Sequence, residues 1–70
     1  MTLEEYLNVN AKSGDFIHVY HDGIADHFRM EDMAKLRCDS NILPLLNRKV
    51  ANDVITDDVL FFRRTISIKL

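Results

Sequence analysis

The sequence predicts a small α+β domain: a mostly antiparallel sheet of about four strands, with two or three short helices packed on one face. Three stretches carry this expectation. The last eleven residues alternate, with Leu60, Phe62, Ile66, Ile68 and Leu70 on one side and Phe61, Arg63, Thr65, Ser67 and Lys69 on the other. A period of two is the signal of a half-buried strand, and only Arg64 interrupts the apolar side. Asp22-Gly23 lies between the run Phe16 to His21 and a return run in which Ile24, Phe28 and Met30 share a face, and it is a two-residue hairpin signal. Thr2 with Glu5 three residues later is a capping-box pattern, which opens a helix.

The elements follow in order. After Thr2, the spacing of Leu3, Tyr6 and Leu7 puts them on one face of a short helix that Lys12-Ser13-Gly14-Asp15 ends. Such a helix is too short to stand alone and must dock. Phe16 to His21 reads as the first strand. Both of its sides are bulky, so either Ile17 and Val19 or Phe16, His18 and Tyr20 face the core. Ile24 to Met30 is the return strand. Glu31 to Leu46 is a helical region interrupted at Asp39-Ser40-Asn41, where Ser40 or Asn41 caps a second short helix, Ile42 to Asn47. Pro44 falls in its first turn, where a missing N–H costs nothing. Lys49 to Ile55 is the third strand, Thr56-Asp57-Asp58 the turn, and Leu60 to Leu70 the closing strand. Residues 1–70 therefore form one domain, ordered helix, hairpin, helical region, hairpin.

Composition narrows the function classes. The chain is 47% hydrophobic and 29% charged, a globular balance. It has one cysteine, Cys38, which excludes an internal disulfide and a four-cysteine zinc site and fits a cytoplasmic setting. No apolar run approaches the roughly 20 residues of a membrane-spanning helix. The acidic start does not read as a signal peptide, so no membrane partner is expected. The net charge of −2 argues against nucleic acid.

Several features together resemble a group of small uncharacterised prophage and mobile-element proteins of Gram-positive bacteria. They are Thr2-Leu3-Glu4-Glu5-Tyr6-Leu7, Ile17-His18-Val19-Tyr20, Leu45-Leu46-Asn47-Arg48-Lys49-Val50, an acidic turn and the closing Ile66-Ser67-Ile68. The resemblance brings no site residues. It implies a role in which a small protein binds one larger host or phage protein, in some cases blocking a bacterial defence system as anti-CRISPR proteins do.

Candidate chemistry is sparse. In the predicted hairpin His18 opposes His27, whereas His18 and His21 face opposite sides of their strand. Two nitrogens fall short of a closed metal site, so no metal and no cofactor is expected. Cys38 lacks an activating motif and reads as a small buried apolar residue. Glu31-Asp32, Asp53 and Asp57-Asp58 are available as paired carboxylates, but such acids also favour turns and helix starts. No catalytic residues are assigned and an enzyme is not expected. Arg48-Lys49 and Arg63-Arg64 make one basic patch if the last two strands pair, with Phe61 and Tyr20 available to stack on bases. Asp53, Asp57 and Asp58 in the same hairpin oppose that use. The remaining signal is aromatic residues off the core phase. Phe61, Arg63, Tyr20 and Phe16 are therefore the candidate partner-binding residues of a non-enzymatic binding protein. Self-association into a homo-oligomer and weak nucleic-acid binding are the alternatives.

Overall fold

A computed structural model describes all residues, Met1–Leu70. The chain forms a helix α1 (Leu3–Asn10), a hairpin β1 (Phe16–His21) and β2 (Ile24–Arg29), a short helix α2 (Met33–Arg37), a 3₁₀ turn (Leu43–Leu45), and a second hairpin β3 (Asn52–Asp58) and β4 (Arg63–Lys69). The four strands make one sheet in the order β2-β1-β4-β3. Each hairpin is antiparallel, and the two inner strands β1 and β4 run parallel, with Ile17 beside Ile66 and Val19 beside Ile68. The α+β class and the mostly antiparallel sheet are as the sequence predicts.

The core explains the order. Ile17, Val19, Ile66 and Ile68 on the inner strands are fully buried, and so are Leu3 and Leu7 of α1. Tyr6, Met30, Leu36, Ile42, Leu45 and Leu46 complete one apolar cluster. The helices lie over the inner strands, so the ambiguous phase of β1 resolves with Ile17 and Val19 inside. Every residue of β3 except Asp58 is exposed.

Local chemistry fixes the ends. Thr2 and Glu5 form the reciprocal capping box at the start of α1. Two further amides of that first turn donate to the loop before β3, Leu3 N to the Arg48 carbonyl and Glu4 N to that of Leu46. The Asp22-Gly23 turn has both φ angles positive, 51° and 75°, as a hairpin of this length requires.

Three expectations are corrected. The helical region shrinks to one turn at Met33–Arg37, capped by Asp32, and a 3₁₀ turn with no side-chain cap. Asp39, Ser40 and Asn41 break it because the Asp39 carboxylate accepts the Asn41 amide, a local bond that competes with helix. The third strand begins at Asn52 rather than Lys49 and continues through the predicted turn to Asp58. Lys49 instead bridges to Thr2, and the Val50 amide donates to the Met1 carbonyl. Finally, the last strand begins at Arg63, and Val59 to Phe62 form the turn. Phe62 is therefore not core: its φ of 49° breaks the alternation, and the residue is 95% exposed. No helix is long and apolar enough to cross a membrane.

Candidate functional site

Two exposed surfaces concentrate the unexplained side chains. The first is the tip of the β3–β4 hairpin. Asp58 Oδ1 accepts the amides of Leu60 and Phe61 at 3.1 and 3.4 Å, which shapes a compact turn. Val59, Leu60, Phe61 and Phe62 all point into solvent there, side by side in the chain. A left-handed φ at a bulky residue such as Phe62 costs about 1–2 kcal/mol, so the fold tolerates strain to present this tip. Phe61 was expected on the open side of a strand; it belongs instead to this turn. Val59, Leu60 and Phe62 escape a period-two reading. The signal that points to them is four large apolar residues in a row directly after Asp57-Asp58.

The second surface is the sheet face turned away from the helices. The other three candidates, Phe16, Tyr20 and Arg63, share it, with Phe16 and Arg63 in contact and Tyr20 four residues along β1. The Arg63 guanidinium carbon lies 4.6 Å from the centre of the Phe16 ring, and that of Arg29 lies 4.9 Å from it. His18 stands opposite His27, with ring centres 4.4 Å apart and Nδ1 atoms 3.0 Å apart. Arg29 was missed, although the Asp22-Gly23 register that sets His18 opposite His27 also sets Phe16 opposite Arg29.

On the helix side, the opposite end of β1 carries a charge cluster. His21 Nε2 meets Asp26 Oδ2 at 2.5 Å, His21 Nδ1 meets Asp22 Oδ2 at 3.2 Å, and Arg48 donates to Asp22 at 2.5 Å. The Arg48 guanidinium first, and His21 second, hold the Asp22 carboxyl below the ordinary carboxylate value. The Asp26 and Asp22 carboxylates, in that order, raise the pKa of His21. His18 is shifted down, chiefly by burial and then by the neighbouring His27.

The two histidines therefore act in opposite senses on stability. The contribution of His21 is fully present below the unfolded value near 6.5 and is lost as pH rises through its raised folded value. The contribution of His18 is present above 6.5 and is lost as pH falls through its lowered folded value. Thermal melts across roughly pH 5–8 are expected to separate them. His21→Gln should flatten the decline on the alkaline side, and His18→Gln the decline on the acid side. Unchanged pH profiles in both variants would refute these assignments.

The remaining candidates are occupied structurally or stand apart. Asp32 caps α2, Asp53 accepts the Tyr6 hydroxyl at 2.5 Å, and Asp58 shapes the hairpin tip. The Asp53 carboxylate and burial together push the Tyr6 phenol well above its ordinary pKa, burial being the larger cause. A cleft of about 490 Å³ between α1 and α2 gathers Ser13, Glu31, Asp32 and Lys35, but Asp32 is the cap and Glu31 lies 4.0 Å from Lys35. Cys38 was expected to be buried; it is exposed at the C-terminal end of α2. No group of three or more His, Cys, Asp or Glu side chains is placed to hold a metal ion. No family model matches the chain, and neither a curated protein nor a solved structure matches it significantly.

Proposed function

We propose that the protein is a non-enzymatic binding protein of the accessory or inhibitor type, which seats its β3–β4 tip in an apolar cleft on a larger protein. One observation supports this: Val59, Leu60, Phe61 and Phe62 stand together with between 73% and 95% of each residue exposed. Apolar side chains grouped this way gain nothing for the fold and gain by burial against a partner. Asp57 and Asp58 flank the tip. Arg64 is drawn away to Asp15 and Arg63 lies over Phe16 on the sheet face, which leaves Asp57 and Asp58 to set the charge of the tip and favours a cleft with a basic rim. The same acids disfavour an anionic membrane surface. The resemblance to prophage proteins supplies the class of partner, a host or phage protein, and the lone thiol of Cys38 fits a cytoplasmic setting.

A homo-oligomer is the second reading, because β3 is an open edge strand with Val54 and Ile55 exposed on its two faces. Charge opposes it. Antiparallel pairing of two β3 edges about Ile55 sets Asp53 against Asp57, and like charges directly opposite destabilise a ladder.

The test is a pair of substitutions at the tip. Leu60→Ser with Phe62→Ser should melt within a few degrees of the parent, since exposed positions change stability by only about ±0.5 kcal/mol. The same variant should lose a partner captured by the parent from host lysate, with affinity falling about 30-fold or more, as loss of a buried aromatic anchor does. Light scattering should show a monomer. A partner that binds the variant as tightly as the parent, or a dimer that the variant leaves intact, overturns the proposal.

A further inference from the structure

The sheet face turned away from the helices has no covering element. Its inner positions are set by register: Phe16 beside Arg29 and Thr65, His18 beside His27 and Ser67, Tyr20 beside Ala25 and Lys69. Phe16, His18 and Tyr20 alternate along β1, so their side chains emerge about 6.6 Å apart in one row. Cations flank that row. Arg29 and Arg63 both lie over Phe16, and Lys69 stands next to Tyr20.

The charge distribution is uneven in a way the net charge conceals. Arg29, Arg63 and Lys69 have no carboxylate within ion-pair distance, whereas Glu4, Asp15, Asp22 and Asp26 are all paired. Two of the three hairpin acids that oppose nucleic-acid binding in the sequence are turned to the other face. Asp53 pairs with Ile68 and Asp57 with Arg64, so both lie on the helix side of the sheet. Only Asp58, opposite Arg63, remains on this face.

We infer that this bare face is a binding platform for a short single-stranded nucleic acid, with one base on Tyr20, another on the guanidinium planes that cover Phe16, and phosphates on Arg29, Arg63 and Lys69. Every base has a π-face, so stacking on aromatic rings and guanidinium planes needs no sequence match. Guanidinium groups also pair with phosphate oxygens, and those already held against Phe16 lose little freedom in doing so. Duplex is a poorer fit, because its bases are stacked on each other and withheld from the row. The surface borders the β3–β4 tip at Arg63, whereas Tyr20 and Lys69 lie at the other end of the sheet, so Tyr20→Ala tests it apart from the tip.

The probes are a fluorescent ten-nucleotide oligouridine, the matching oligodeoxythymidine and a duplex of equal length, followed by anisotropy at roughly 20 mM to 200 mM salt. Saturable binding of the single strands is expected, weaker for duplex, with log K falling against log salt at a slope of about −2 for three phosphate contacts. Arg29→Glu should weaken binding at least tenfold, and so should Arg63→Glu. Tyr20→Ala should weaken it while leaving the salt slope unchanged. The tip variant Leu60→Ser with Phe62→Ser should bind as the parent does. Circular dichroism melts on each variant separate loss of binding from loss of fold. The inference is overturned by any of three results: no saturable binding at low salt, equal binding by folded face variants, or competition by heparin or anionic vesicles as effective as competition by unlabelled oligonucleotide.

Discussion

Replacing Ile66 with alanine is expected to cost roughly 2–5 kcal/mol, enough to unfold most molecules of a domain this small. Ile66 is fully buried at the centre of the sheet, between Ile17 of β1 and Ile55 of β3. Truncation removes the packing of its outer carbons against α1 and leaves a cavity that two paired strands have little freedom to close. Phe62→Ala removes more side chain and should change stability by no more than about 0.5 kcal/mol, because the ring touches mainly water. Urea unfolding of the two variants, followed by circular dichroism, checks the contrast. A stable Ile66→Ala beside an unfolded Phe62→Ala would invert the phase of β4.

Removing the guanidinium of Arg64 is expected to cost about 2–4 kcal/mol. Arg64 lies on the helix side of β4, with its Nε 3.2 Å from Asp15 Oδ2, and it donates from its terminal nitrogen to the Asn10 carbonyl at the end of α1. Asp15 is buried and also accepts the Lys12 amide at 2.8 Å. The Nε–H itself makes no aligned hydrogen bond, so the attraction to Asp15 is ionic. Arg64→Leu leaves a carboxylate buried without its counter-charge and a helix end without its donor. The partial exposure of Arg64 places the cost below that of a fully buried pair. Asp15→Asn in the Arg64→Leu background should recover part of the loss, with a coupling of at least about 1 kcal/mol in a double-mutant cycle. Strict additivity would show that the pair contributes nothing.

These two residues mark how far the sequence can be read. Thr2-Glu5 and Asp22-Gly23 are legible because each satisfies a local rule, a reciprocal cap and a positive-φ turn, whatever surrounds it. The His18–His27 pairing follows from the turn alone. Arg64 looks like an error in an apolar pattern because its partners, Asp15 and Asn10, are about fifty positions away. Phe61 and Phe62 prolong the alternation of β4 because periodicity cannot tell a buried aromatic from one held out on a turn. Such local conflicts are expected where residues are retained for something other than the fold. The meeting of Arg63 with Phe16 was illegible for a different reason: it depends on which strand neighbours which, and two hairpins can dock in more than one order.

That docking order has a consequence for the birth of the protein. The parallel pairing sets Phe16 beside Thr65 and Tyr20 beside Lys69, so the inner strands join positions far apart in the chain. Each hairpin can close locally within microseconds, but bringing β4 against β1 must wait for loop closure across everything between them. β4 is also synthesised after β1, β2 and β3. Ile17 and Val19 therefore remain without their parallel neighbours, on an unpaired strand edge, until residues 66–68 have left the ribosome.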